Sequence, residues 1–188
     1  MTIIIVSGLP RSGTSLMMQM LQAGGLELLA DNQRPADPDN PRGYFEYGPV
    51  KSLARDNAWL SKAEGKAVKV ISTLLPYLPA QLTYKIILMK RPLKEVLASQ
   101  QAMLKRLGRQ GSTAGDQALG EIFAKQLADT ERWLKKQAQI AMLTINYRDA
   151  IMEPQATAQA VAQFVGLPLK VEEMAKVADP NLYRQRQR

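Results

Sequence analysis

Ile3-Ile4-Ile5-Val6-Ser7-Gly8-Leu9-Pro10-Arg11-Ser12-Gly13-Thr14-Ser15 stands near the start of the chain and decides its fold class. Four β-branched residues in succession predict a strand buried on both faces, as in the middle of a parallel sheet. Ser7 to Gly13 forms a turn that neither a strand nor a helix absorbs. From Thr14 to Gln22 the apolar residues Leu16, Met17, Met20 and Leu21 recur at helical spacing, and Gly24-Gly25 closes the run. The unit is therefore strand, glycine-rich loop and helix. Set against the Walker A pattern G-x-x-x-x-G-K-S/T, Gly8 to Ser15 keeps both glycines and the final hydroxyl but has Thr14 where the lysine belongs. The loop N–H groups and the helix N-terminus still make an anion nest. The lysine that would reach a β- or γ-phosphate is missing, and a cation returns three positions earlier as Arg11. A plain glycine turn with Arg11 in solvent is the alternative. The hydroxyls of Ser12, Thr14 and Ser15, placed where N-caps and anion donors sit, favour the anion site.

Outward from this unit, strand and helix patterns alternate. Asp31 to Gly43 holds three prolines and no apolar period, so it reads as a long loop of the kind that often carries function. Val50 to Lys62 is helical by pattern, Val68 to Ser72 and Lys85 to Met89 suit strands, and Pro92 opens a helix that runs to Gly108. Gly108, Gly111 and Gly115 mark a loop, Asp116 to Gln139 a long helix, Ile140 to Ile145 a strand, and Pro154 to Val165 a helix stopped by Gly166. This alternation predicts an α/β fold, a parallel β-sheet covered by helices on both faces in three layers, with residues 1–188 as one domain.

Composition removes several chemistries. With no cysteine and no histidine, the chain has no thiolate nucleophile, no Cys/His zinc site and no histidine base. No run approaches the 18 or so apolar residues of a membrane span, and no secretory leader is visible, so a cytoplasmic location is expected. The 25 Lys and Arg against 17 Asp and Glu leave a net charge of +8, which suits an anionic partner. The cations are spread along the chain without interleaved aromatics, which argues against nucleic acid, and a smaller phosphorylated ligand fits the charge equally well.

Val6 to Ser15 resembles the 5′-phosphosulfate loop of sulfotransferases that use 3′-phosphoadenosine-5′-phosphosulfate (PAPS), whose hallmark is Pro-(Lys or Arg)-Ser-Gly-Thr; the Arg form here is similar to tyrosylprotein and carbohydrate sulfotransferases. The resemblance implies a P-loop-like fold, with Arg11, Ser12, Gly13, Thr14 and Ser15 gripping the 5′-phosphosulfate and no metal required. A second family element is an Arg at a strand end followed eight residues later by Ser, which hold the 3′-phosphate. Arg91 and Ser99 match it, following Lys85 to Lys90. Independently of the family, Arg91 falls just beyond the carboxyl end of a strand, where open parallel sheets bind ligands; an exposed Arg and a small packing serine is the alternative. Ile140 to Asn146-Tyr147-Arg148-Asp149 is similar to a late strand-Tyr-Glu-Asp-Leu segment, which carries over only Tyr147, near the adenine. A half-buried packing tyrosine is the plainer reading. The basic tail Tyr183 to Arg188 could add contacts to the 3′-phosphate or lie in solvent.

Sulfuryl transfer needs the donor positioned, charge on the bridging oxygen stabilised and the acceptor deprotonated. Some family members use a glutamate from the loop after the first helix, and Pro41-Arg42-Gly43-Tyr44-Phe45-Glu46-Tyr47 ends the long loop with one acid among aromatics. An aromatic setting favours a carboxylate as base near neutrality, so Glu46 is the candidate. The alternative is an acid answering the dipole of the next helix. Asp31, Asp37 and Asp39 also lie on that loop, in Pro-rich surroundings that suggest turn chemistry. Lys69 either touches the sulfonate or faces solvent. The expectation is a sulfotransferase using PAPS, releasing PAP, with Glu46 and Arg11 catalytic, on a small-molecule, carbohydrate, lipid or peptide acceptor. The alternatives are an ATP-dependent phosphotransferase, which wants Mg²⁺ and a loop lysine, and a non-catalytic nucleotide-binding protein. Acceptor and oligomeric state are not legible.

Overall fold

The computed structural model describes residues 2–31, 33–38, 40–106, 108 and 113–184. Four strands, β1 (Thr2–Gly8), β2 (Ala67–Lys69), β3 (Thr83–Lys90) and β4 (Ile140–Asn146), form one sheet in the order β2-β1-β3-β4. Every pairing is parallel, with Ile5 opposite Val68 and Ile86, and Ile87 opposite Leu143. The outer side of β2 is met by an isolated parallel bridge from Leu28 to Ala67.

Strand alternation divides the core into two layers. Ile4 and Val6 of β1 point to one face and pack with Met17, Met20 and Leu21 of α1 (Thr14–Ala23), Val161 and Val165 of α5 (Pro154–Val165) and Met174 of α6 (Val171–Lys176). Ile3 and Ile5 point to the other face, onto Val50, Trp59, Leu60 and Leu75 from three 3₁₀ helices, Gly48–Ser52, Ala58–Ala63 and Ser72–Tyr77, and onto Leu53, which follows the first of them. On the same side Leu134 closes the end of α3 (Thr113–Leu134), and α2 (Leu93–Arg106) packs on α3 through Val96 and Phe123. The α/β fold with a parallel sheet covered on both faces is as the alternation predicts. Helix α5 ends where Gly166 takes the left-handed conformation (φ 71) and its N–H bonds back to Ala162 O.

Three segments differ from the sequence pattern. Val50 to Lys62 is not one helix: the Asp56 carboxylate accepts from Ala58 N–H at 3.0 Å, and Arg55 and Asp56 N–H both turn back to Ser52 O, so local capping divides it into two 3₁₀ pieces. The strand expected over Val68 to Ser72 stops at Lys69, since Ile71 caps the 3₁₀ helix that follows. The helix expected over Asp116 to Gln139 starts earlier and takes in Gly115, and it ends at Leu134 in a turn with Gln137 N–H on Leu134 O. Gly111, named with the preceding loop, lies outside the described residues. Among the described residues no helix is long and apolar enough to cross a membrane.

Candidate functional site

Strand order reverses between β1 and β3, and a cleft of about 410 Å³ opens there at the carboxyl ends of the strands. The Gly8–Ser15 loop forms its floor. Gly13, the N-cap of α1, has φ 101, and a Cβ on it would come within 2.4 Å of the Tyr147 ring, so only glycine fits above that tyrosine. Arg11 also takes a left-handed backbone (φ 68), which costs a non-glycine residue about 1–3 kcal/mol unless its surroundings hold it there. Here they do: the Arg11 carbonyl accepts from Arg91 Nη1 at 3.3 Å, and Arg11 Nε donates to Ser99 Oγ at 3.0 Å.

The two sequence elements thus meet in space. Arg11, Gly13, Thr14, Ser15, Arg91, Ser99 and Tyr147 all line the cleft. Ser12 does not line it. Its buried hydroxyl donates to Leu9 O at 2.7 Å and its N–H to the same oxygen at 3.2 Å, so it shapes the loop from beneath. Tyr147 opens α4 (Tyr147–Met152), buried at 8% exposure, with the Arg91 guanidinium 4.5 Å from its ring centroid. Burial raises the Tyr147 pKa, against the lowering effect of Arg91 and Arg11.

Lys69 reaches into the cleft instead of solvent. Its Nζ donates to Ser15 Oγ at 3.1 Å and to Tyr44 O at 2.8 Å. Burial lowers its pKa from 10.5 to about 8, with Arg34 and Arg11 pushing the same way and Glu46 opposing. Asn40 Nδ2 also donates to Ser15 Oγ, at 2.8 Å, so the long loop touches the last hydroxyl of the anion nest.

Along that loop Phe45 has a left-handed backbone (φ 53) and packs against the α1 face of the core, while Tyr44 and Glu46 line the cleft. Glu46 Oε1 accepts from Arg34 Nη1 at 3.3 Å, and the Arg34 guanidinium lies 3.4 Å from the Tyr44 ring centroid. The carboxylate's partner is therefore a cation stacked on the aromatic. Asp31 and Asp37 do turn chemistry. Asp31 accepts from Gly48 and Gln33 N–H; Asp37 accepts from Asn40 N–H at 2.9 Å and from Tyr44 OH at 2.7 Å. Burial and the Asp37 bond raise the Tyr44 pKa, burial first. Asp39 and residues 185–188 of the basic tail lie outside the described residues.

Arg34 and Asn40 carry no sequence signal, since neither sits in a periodic element. Glu95 was legible in principle as the opposite charge four residues after Arg91 in a first helical turn.

The sequence profile of the sulfotransferase domain matches residues 2–183. The chain belongs to the sulfotransferase-domain family. No curated protein sequence matches it. Among solved structures, this sulfotransferase domain is similar to the sulfotransferase domain from the curacin biosynthetic pathway, at 16% identity and TM-score 0.56, over 96% of this chain and 79% of that one. Mouse sulfotransferase SULT7A1, complexed with PAP, is similar at 17% identity and TM-score 0.54, over 94% of this chain and 62% of the mouse chain. STF1 from Mycobacterium tuberculosis is similar at 15% identity and TM-score 0.57, over 96% of this chain and 71% of that one. At such identities the likeness is one of fold. The mouse protein is much the longer, and this sulfotransferase domain spans under two thirds of it.

Proposed function

We propose that the chain transfers the sulfuryl group of PAPS to a hydroxyl or amine acceptor and releases PAP. The observation that carries this reading is the Arg11–Ser99 bond, which joins two anion-binding elements 88 residues apart in one cleft. The donor set fits a nucleotide with phosphate groups at both ends. Arg11, Thr14, Ser15 and Lys69 cluster at the helix N-terminus for the 5′ end, and Arg91 with Ser99 stands at the end of β3 for the 3′-phosphate. When bound, PAPS supplies an activated sulfuryl group.

The chain's own residues do the rest. Arg11 and Lys69 stabilise the charge that builds on the bridging oxygen, in a partly closed cleft where such contacts are stronger than in water. Tyr147 offers a ring face beside Arg91. Glu46 takes the acceptor proton, and its ion pair with Arg34 holds the carboxylate at the cleft wall. A phosphotransferase reading lacks the loop lysine, because Thr14 occupies that position.

The test is a melting-temperature comparison. PAP without metal should stabilise the protein more than ADP or ATP with Mg²⁺ at equal concentration. Greater stabilisation by ATP with Mg²⁺ would overturn the PAPS assignment.

A further inference from the structure

Glu95 is a carboxylate at 3% exposure beside the proposed 3′-phosphate site. A buried charge of this kind is costly unless both oxygens are satisfied. Oε2 accepts from Arg91 Nε at 2.9 Å, and Oε1 accepts from Tyr183 OH at 2.9 Å. Tyr183 follows the short 3₁₀ helix Pro180–Leu182, far along the chain from both. Its ring meets Tyr147 edge-on at 5.2 Å between centroids, and the Arg91 guanidinium lies 5.4 Å from the Tyr183 centroid. Arg91 is therefore held on its Nε edge by Glu95 and flanked by two aromatic rings.

The segment that delivers Tyr183 is itself tied across the cleft. Arg42 Nη1 donates to Val177 O at 2.5 Å and Arg42 Nη2 stands 3.8 Å from Asp179 Oδ2, and Arg184 Nη1 donates to Pro38 O at 3.0 Å. Asp179, Leu182 and Arg184 line the cleft together with Arg42. The late segment thus joins the long loop on one side to Arg91 on the other.

We propose that Tyr183 is a positioning residue, which through Glu95 fixes the Arg91 guanidinium for the nucleotide's 3′-phosphate and so makes the 177–184 segment part of the nucleotide site. This rests on the reading of Arg91 as the 3′-phosphate ligand. Tyr183 holds the carboxylate, the carboxylate holds Nε, and Nη1 donates to the Arg11 carbonyl, so the guanidinium plane is set where Arg91 lines the cleft. The planar fork of an arginine binds phosphate well only when its plane is set in advance.

The test compares PAP with AMP, which lacks the 3′-phosphate, by calorimetric titration of the full chain. Removing Glu95's charge would also remove a repulsion toward phosphate, so the informative variants keep every charge: Tyr183→Phe and Glu95→Asp. Each should weaken PAP about 3- to 10-fold, the range for one lost hydrogen bond, and leave AMP within about twofold. In an Arg91→Ala background Tyr183→Phe should have no further effect on PAP, since the group it positions is gone. A merely structural tyrosine would lower the melting temperature and weaken PAP and AMP alike, or act equally with and without Arg91. Either result overturns the proposal, and should Glu95→Asp fail to fold, Tyr183→Phe decides alone. The two readings fail differently. If Arg91→Ala leaves the PAP/AMP ratio unchanged, the 3′-phosphate assignment falls and the proposal falls with it; if that ratio drops but Tyr183→Phe does not lower it, only the positioning role is lost.

Discussion

Arg11 Nε and Ser99 Oγ lie 3.0 Å apart, so the glycine-rich loop after β1 and the helix after β3 are locked together through one hydrogen bond at the reversal of strand order. Ser99→Ala removes that acceptor of the Arg11 side chain. PAP affinity should fall about 3- to 10-fold, whereas Arg11→Ala, which removes a charge-assisted contact, should cost about 10- to 100-fold. Calorimetric titration reads both, and equal small losses would show Arg11 facing away from the nucleotide.

Lys69 gives the site a pH dependence. Its folded pKa of about 8 lies below its ordinary 10.5, so between those values the unfolded chain binds a proton that the folded chain has lost. Stability therefore rises with pH across that window, and the buried ammonium opposes folding at neutral pH. Lys69→Met should leave the melting temperature at pH 7 equal to or above wild type while lowering turnover about 10²-fold or more. In the wild type, kcat/KM should decline as pH rises through about 8, because the proposed stabilisation of the bridging oxygen needs the charged form.

Glu46→Gln separates chemistry from structure. The Arg34–Glu46 pair is exposed on both sides, at 44% and 33%, so its loss should move the melting temperature by little. PAP affinity should stay near wild type and sulfuryl transfer should fall about 10²- to 10⁴-fold. Near-normal turnover would remove Glu46 as the base. Asp31 and Asp37 would be poor replacements, since both carboxylates accept backbone N–H bonds, Asp31 from Gln33 and Gly48 and Asp37 from Asn40.

Gly13→Ala places a methyl 2.4 Å from the Tyr147 ring on a backbone with φ 101. Destabilisation of at least about 2 kcal/mol is expected, with loss of PAP binding as the loop leaves its nest geometry. Chemical denaturation and titration would show both.

The central strand, the glycine-rich loop and α1 were legible because their signals are local: β-branched residues in a row, glycines at a turn, and a helical period from Thr14. The placement of Arg91 at the end of β3 and of Ser99 in α2 was legible by order and spacing, and α5 by its opening proline and closing Gly166. The broken helix after Val50 was not, since its apolar period is intact and the interruption comes from Asp56 capping Ala58. From sequence a strand lysine such as Lys69 more commonly faces solvent, and its turn toward Ser15 depends on a strand partner and a loop far away in sequence. Tyr183 is the extreme case. Its role comes from contact with Glu95 across 88 residues, and no periodic pattern leads to it.

The most direct measurement follows the label of ³⁵S-PAPS incubated with the protein and a mixed pool of phenolic, sugar and amine acceptors. A sulfuryl transferase predicts label on an acceptor with an equal yield of PAP, and loss of both in Glu46→Gln under conditions where PAP still binds. Tight PAP binding with the label remaining on intact PAPS across the whole pool would contradict catalysis and leave a nucleotide-binding protein in its place.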